Sequence, residues 1–153
     1  MNEQELASEL ASIDDWCICH FKEADHDPAA PCHWYLCIPI KDSQMIICII
    51  TSQVTKQAKY YLNSSFGALD GLVPLVDDEF PFLTREESMI DCNQAKMEHC
   101  SHFPHLINMR EGFRKIPNIQ ISPELRERVK KAIATSPIVK PFIKKALVLK
   151  SLV

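Results

Sequence analysis

Two adjacent apolar runs restrict the fold of this chain more than any other feature. Residues 34–40 and 45–50 are rich in β-branched, aromatic and cysteine side chains, which favour strands. The four polar residues between them, 41–44, suit the turn of an antiparallel hairpin. The second run is apolar at every position, so it predicts a central strand that is buried on both faces.

Weaker strand signals follow this hairpin. They lie at residues 59–62, 71–76 and 88–92. Pro74 interrupts the second of them and therefore belongs at a sheet edge or a bend, because proline cannot donate to a neighbouring strand. Phe80 and Phe82 come from the next turn and are expected to pack against the sheet. Short strands joined by polar turns are typical of a small, closed or half-closed barrel.

Helical patterns occupy both ends of the chain. Residues 2–13 repeat apolar side chains at helical spacing and predict an amphipathic helix, whereas residues 14–31 read as irregular. A short helix is expected over 93–99. Ser122 and Pro123 form a strong helix start, with a helix running to about residue 134.

The last helix is expected to begin at Ser136 and Pro137 and to run to about residue 149. Ile138, Phe142 and Ala146 share one stripe of this helix and are predicted to be buried. The sequence thus predicts an α+β fold in one domain, 1–153. It comprises an N-terminal helix and loop (1–30), a β-barrel core (31–93) and a C-terminal part built on a helical hairpin (94–153).

Charge is distributed unevenly. The net charge of −3 hides 7 Lys/Arg and 18 Asp/Glu in residues 1–113, against 10 Lys/Arg and 2 Asp/Glu in residues 114–153. A basic C-terminal segment could bind the phosphates of a nucleic acid. Alternatively, the basic segment binds an acidic protein partner, the two parts of the chain neutralise each other by packing, or the basic helices present solvated faces. The candidate phosphate-binding residues are Lys130, Lys131, Lys140, Lys144 and Lys145.

The seven cysteines do not indicate a disulfide framework, because their number is odd and no secretory signal opens the chain. Cys17, Cys19 and Cys32, with His20 and His33 nearby, could offer soft metal ligands. Their spacing differs from that of standard zinc sites, so we expect no metal and no other cofactor. His99, Cys100, His102 and His105 form a weaker candidate, since Pro104 interrupts them.

No apolar run reaches the roughly 18–20 residues that cross a bilayer. The acidic, amphipathic N-terminus also differs from a secretory signal. We therefore expect a cytoplasmic protein without membrane contact.

The order of motifs resembles that of PemK/MazF-like toxins. HWYLCI at 33–38, then MIICIITS at 45–52, resembles their paired strands, including the Thr-Ser at the end of the second strand. DEFPFL at 78–83, then SMID at 88–91, is similar to a "GDHPFI…SYV-Y" pattern in bacterial and phage proteins grouped with these barrels. ISPEL at 121–125 and the later Ser-Pro resemble their helical end. The resemblance covers about residues 31–145.

This resemblance implies an SH3-like, PemK-like barrel. It also implies a toxin–antitoxin or phage-defence protein that acts on RNA. The possible protein partners are an antitoxin and a second copy of the chain. The toxins usually open the first of these strands with an arginine that helps to cleave RNA. Here PCHW stands at 31–34, without an arginine, and Phe80 and Cys92 replace the histidine and tyrosine of the second pattern. The implied fold survives these departures better than the implied activity.

Metal-independent RNA cleavage needs a base, an acid and positive charge on the transition state. His33 can act as base or acid because its ordinary pKa lies near neutrality. Thr51 or Ser52 can hydrogen-bond a phosphate, and Arg85 or a C-terminal lysine can supply charge. If the two strands are antiparallel neighbours, His33 and Thr51 meet at one end of the sheet.

Structural readings of the same residues stand beside this hypothesis. His33 could cap a strand next to Trp34, and Thr51 and Ser52 could form the polar exit of a buried strand. The alternative function is a non-catalytic barrel module that binds a protein partner or a nucleic acid. The absent strand-opening arginine favours that alternative.

Overall fold

The computed structural model describes residues 1–64, 66–76, 79–83 and 87–151, without the side chains of residues 150 and 151. Within these residues the chain forms four α-helices and a seven-stranded antiparallel sheet, so the predicted α+β class is confirmed. The helices are α1 (Glu3–Ala11), α2 (Val54–Ser64), α3 (Pro123–Thr135) and α4 (Pro141–Ser151). The strands are β1 (Cys17–Phe21), β2 (His33–Ile40), β3 (Gln44–Thr51), β4 (Leu72–Leu75), β5 (Ser88–Asp91), β6 (Lys96–His99) and β7 (Phe113–Lys115).

The predicted hairpin lies at the centre of the sheet. β2 and β3 pair antiparallel from Trp34 opposite Ile50 to Ile40 opposite Gln44. The strands run in the order β4-β5-β3-β2-β1-β7. Along the edge of β3 that faces away from β2, β5 pairs with Ile50 and Thr51, and β6 pairs with residues 44–47. No pairing joins β4 to β7 among the described residues. The sheet is therefore open, and the SH3-like barrel stays an expectation from the resemblance.

The sheet separates two apolar layers because alternate strand residues point to opposite faces. Ile18, Leu36 and Cys48 face the layer that α3 and α4 cover. Cys19, Cys37 and Ile47 face the second layer, which α1 closes with Leu6, Leu10 and the adjoining Ile13. Burial on both faces explains the continuously apolar sequence of β3.

Several local predictions are confirmed. Ser122 caps α3, since its hydroxyl oxygen accepts a hydrogen bond from the Leu125 amide at 3.1 Å. Pro74 is exposed in β4, an edge strand of the sheet, where its missing amide hydrogen is tolerated. Phe80 is buried, and Phe82 packs on Trp34 with their ring centroids 4.3 Å apart.

Three predicted elements are wrong. Residues 14–31 contain β1, which pairs along its whole length with β2 and joins the sheet through that contact. Residues 59–62 belong to α2, where helix-favouring Lys, Gln and Ala outweigh the two tyrosines. The helix expected over 93–99 is present only at its start, where residues 92–94 form a single 3₁₀ turn, whereas residues 96–99 form β6 because the edge of β3 at Gln44–Ile47 pairs with them.

The buried stripe of the last helix also differs from the prediction. α4 begins at Pro141, and Val139, Ile143 and Leu147 are buried instead of the predicted set. Phe142 is 51% exposed and Ile138 is 41% exposed. The connection before Pro141 changes which side of the helix meets the sheet, and the sequence pattern did not show this change.

Ion pairs link the acidic and basic parts of the chain. The Arg126 guanidinium donates to both carboxylate oxygens of Asp15, at 2.8 and 3.2 Å. Arg128 lies 3.8 Å from the Glu79 carboxylate. The interpretation that the two parts partly neutralise each other therefore holds for these two arginines.

Candidate functional site

A cavity of about 530 Å³ opens where β2 begins and β3 ends. Trp34 pairs with Ile50, so the first residue of β2 lies beside the last residue of β3. His33, Thr51 and Ser52, the three candidate catalytic residues, all line this cavity. The antiparallel pairing on which their meeting depended is confirmed. The other lining residues are His26, Ala30, Pro31, Cys32, Trp34, Ile49, Ile50, Gln53, Gln57, Leu83, Ser88 and Gln94.

His33 is half-buried in the wall of the cavity. Its Nδ1 atom is buried and has no hydrogen-bond partner among the described residues. Burial lowers the pKa of His33 below its ordinary value, and the neighbouring His26 lowers it further. Both effects favour the neutral imidazole, the form that can accept a proton at neutral pH.

Thr51 and Ser52 differ in burial. Thr51 is 7% exposed, and its Oγ1 accepts a hydrogen bond from the Gln53 amide at 3.0 Å. This side-chain turn fixes the exit of β3, and an accepting hydroxyl keeps its hydrogen as a donor. Ser52 is exposed at the cavity. The structural role expected for Thr51 is present, and the residue also lines the same cavity as His33.

Sequence reasoning missed a second histidine, His26. Its Nε2 atom lies 3.0 Å from the Glu23 carboxylate, and its ring packs edge-on against the His33 ring with centroids 5.7 Å apart. Both histidines line the cavity. The only sequence signal was a proline-rich turn flanked by two histidines, and nothing in their spacing showed that the turn folds back on itself.

The buried carboxylate of Glu23 organises this part of the site. It accepts a hydrogen bond from the Tyr35 hydroxyl at 2.8 Å and pairs with the Lys96 ammonium group. Burial and the Glu23 charge raise the pKa of Tyr35 far above its ordinary value. Lys22, which precedes Glu23 in the sequence, is also buried. Its ammonium group donates to the Pro28 carbonyl oxygen at 2.9 Å and so restrains the loop that carries His26. Glu23 thus fixes the position of His26.

An aromatic group with a cation adjoins the cavity at Trp34. The His20 ring lies 4.3 Å from the Trp34 ring, centroid to centroid, and the Arg114 guanidinium carbon lies 5.7 Å from the same ring. Arg114 and Trp34 are both register partners of His20. Burial lowers the pKa of His20, and Arg114 lowers it further. The sequence did not indicate this arginine, since β7 was not predicted.

The predicted phosphate-binding lysines are not equally exposed. Lys131, Lys140 and Lys145 are exposed on α3, before α4 and on α4. Lys130 is half-buried and pairs with Glu127 at 3.2 Å, and Lys144 donates to the Ser136 carbonyl oxygen at 2.6 Å. These two lysines therefore have local structural partners. Arg85 lies outside the described residues.

The cysteine cluster differs in membership from the one considered in the sequence. The sulfurs of Cys17, Cys19 and Cys37 lie within 4.8 Å of one another, whereas Cys32 lines the cavity. Hydrogen bonds with Cys19 and Cys37 lower the pKa of Cys17. Register explains the change, because Cys37 is the direct partner of Cys17.

The candidate group around His99 is not assembled. Among the described residues, two groups bring three possible metal-ligand atoms together, and neither contains His99, Cys100, His102 or His105. His99 bonds to the Ser101 hydroxyl at 2.7 Å, and His102 lies 3.3 Å from Glu98. These histidines make local contacts of their own.

No family model, curated protein or solved structure significantly matches this chain. In the described part of the chain, no helix has the length and apolar character needed to span a membrane. The function is therefore inferred from the geometry of the site and from the sequence resemblance.

Proposed function

We propose that this chain is a PemK-like protein of a toxin–antitoxin or phage-defence system and cleaves RNA without a metal ion. The observation that carries the proposal is that His26, His33, Thr51 and Ser52, two histidines and two hydroxyl-bearing residues, all line one cavity. An acid and a base positioned together are the minimum equipment for transfer of an RNA phosphodiester to its own 2′-hydroxyl. The SH3-like arrangement of the strands belongs to the same proposal.

In the proposed reaction, neutral His33 accepts the proton of the 2′-hydroxyl as the 2′-oxygen attacks phosphorus. The bond from phosphorus to the 5′-oxygen breaks, and the imidazole of His26, held by Glu23, gives that oxygen a proton. The products are a 2′,3′-cyclic phosphate and a 5′-hydroxyl. Thr51 and Ser52 hydrogen-bond the phosphate oxygens, and Arg114, which lies over the Trp34 ring beside the cavity but not in its lining, supplies positive charge.

Single-stranded RNA incubated with the purified chain in excess EDTA tests this activity. We expect cleavage with 2′,3′-cyclic ends, and we expect His33→Ala to lower the rate about 10²–10⁴-fold, the usual contribution of a positioned acid or base. The matched control is His99→Ala, because His99 is exposed and pairs with Gln44 at the opposite end of β3. Equal rates for His33→Ala and the unaltered chain would contradict the catalytic assignment.

A second candidate function is a non-catalytic module that binds a nucleic acid or a protein. One observation favours it: the described residues that line the cavity include neither arginine nor lysine. A nuclease would be expected to place such a cation at the developing charge. RNA binding without cleavage, with no growth arrest on expression, would support this function over the first.

Partners follow from the same proposal. A toxin of this type should arrest growth when expressed alone, and co-expression with an antitoxin should relieve the arrest. We also propose a homodimer by resemblance to the toxins, and sedimentation of the purified chain measures it directly.

A further inference from the structure

Three cysteines converge beneath the N-terminal helix, away from the cavity. Cys17 and Cys19 lie two residues apart on β1, so their side chains project from the same face of the sheet. Cys37 on β2 is the register partner of Cys17. The three residues are 4%, 0% and 1% exposed. They share an apolar layer with Leu6 and Leu10 of α1.

The spacing of the sulfur atoms fits one shared ion. Thiolates bound about 2.3 Å from a metal are about 4.0 Å apart in a trigonal plane and about 3.8 Å apart in a tetrahedron. The sulfurs of Cys17 and Cys19 lie 3.9 Å apart, and all three lie within 4.8 Å of one another. Only small side-chain movements are therefore needed for all three to bind the same ion.

The composition of the cluster selects the kind of ion. Among the described residues, the group contains three sulfurs and no imidazole or carboxylate. Structural zinc sites take four ligands, whereas soft thiolate ligands suit Cu(I). We propose that Cys17, Cys19 and Cys37 form a three-coordinate, sulfur-only site for a single Cu(I) ion.

Two neighbouring features support binding at this place. Lys115 on β7 is the register partner of Cys19, so a positive charge lies near the place where three thiolates would surround Cu(I). Cys17 begins β1, directly after the connection from α1, and α1 covers the cluster. Local opening of a terminal helix costs less than global unfolding and gives an ion access to the sulfurs. Binding of Cu(I) to the folded chain should then stabilise it by mass action.

The first test uses the full-length chain, reduced and free of oxygen, with Cu(I) supplied by a chromophoric chelator. We expect the protein to take one equivalent of Cu(I) from the chelator, and X-ray absorption to show a shell of three sulfurs around copper. No transfer from the chelator, or a shell that contains nitrogen or oxygen, would overturn the proposal.

The second test compares two alanine variants of buried cysteines. Cys37→Ala should lower the affinity for Cu(I) more than about 100-fold, since changes outside the ligand shell alone cost about 10–100-fold. Cys100→Ala is the control, because Cys100 is equally buried in the same apolar layer but is not in the three-sulfur group. Equal affinities of the two variants would overturn the assignment. If Cys37→Ala does not fold, the absorption spectrum of the unaltered chain decides.

Discussion

Burial determines the chemistry of His33. The side chain is half-buried, its Nδ1 atom has no hydrogen-bond partner among the described residues, and its pKa is lowered chiefly by desolvation. The residue type and its position before an apolar run were visible in the sequence. The neighbouring His26 also lowers the pKa of His33, but their contact depends on the fold of the loop before β2 and could not be predicted from the sequence.

The lowered pKa values of His20 and His33 predict that the protein loses stability in acid. Above the ordinary pKa of about 6.5 both the folded and the unfolded chain hold neutral rings. As the pH falls through that value, the unfolded chain binds protons first, so the free energy of unfolding decreases until the pH lies below the folded pKa values. Urea unfolding at about pH 7.5 and pH 5.5, on either side of that value, measures the decrease.

The variant His33→Gln should show a smaller decrease over the same pH interval, because one of the two titrating rings is removed. An unchanged difference between the two pH values in this variant would contradict the assignment of the effect to His33.

Local signals and tertiary contacts decided different elements of the fold. α3 was predicted because its cap, Ser122, and its first-turn proline act within a few residues. β1 and β6 were missed because they become strands by pairing with β2 and β3. A tertiary contact also restricts the residue type at position 71, because a Cβ atom on Gly71 would lie 2.2 Å from Asn93 Oδ1.

Gly71→Ala should therefore destabilise the protein by about 1–3 kcal/mol, the usual cost of adding a methyl group where no room exists. Asn93 cannot move away freely, because its amide donates to the Ala68 carbonyl oxygen and its Oδ1 accepts from the Ser136 hydroxyl, both at 2.7 Å. Chemical denaturation measures the change.

A double-mutant cycle supplies the control for Gly71→Ala. In an Asn93→Ala background the added methyl group should cost less, because the side chain that it meets has been removed. Equal costs in the two backgrounds would show that the close approach to Asn93 is not the cause.

Across the whole molecule, the charge division observed in the sequence has two structural outcomes. Arg126 and Arg128 reach back to Asp15 and Glu79. Lys131, Lys140 and Lys145 stay exposed on the α3–α4 part of the chain. The net charge of −3 thus combines internal ion pairs with an exposed basic group, and only the latter could bind a polyanion.

Replacing Lys131, Lys140 and Lys145 together by alanine should weaken RNA binding and flatten its salt dependence. Each phosphate contact on a single strand contributes about −0.7 to the slope of log affinity against log salt, so the slope should change by about 2. A filter-binding or anisotropy titration at several salt concentrations measures it. Lys41→Ala, at an exposed turn between β2 and β3, is the control and should leave the slope unchanged. Equal slopes for the triple variant and the unaltered chain would contradict the basic-group assignment.

Sequence patterns were enough to predict the central β2–β3 hairpin, the α1 and α3 helices, and the position of His33 and Thr51 at the same end of the sheet. These follow from periodicity, caps and short-range turns, which depend on neighbouring residues. Long-range contacts were needed to establish the open sheet, the buried stripe of α4, the Glu23–His26 pair and the cluster of Cys17, Cys19 and Cys37. Each of these features depends on strand register or on the path of a connecting segment. A pattern of apolar residues or cysteines is compatible with several registers and several paths, so the pattern alone could not select among them.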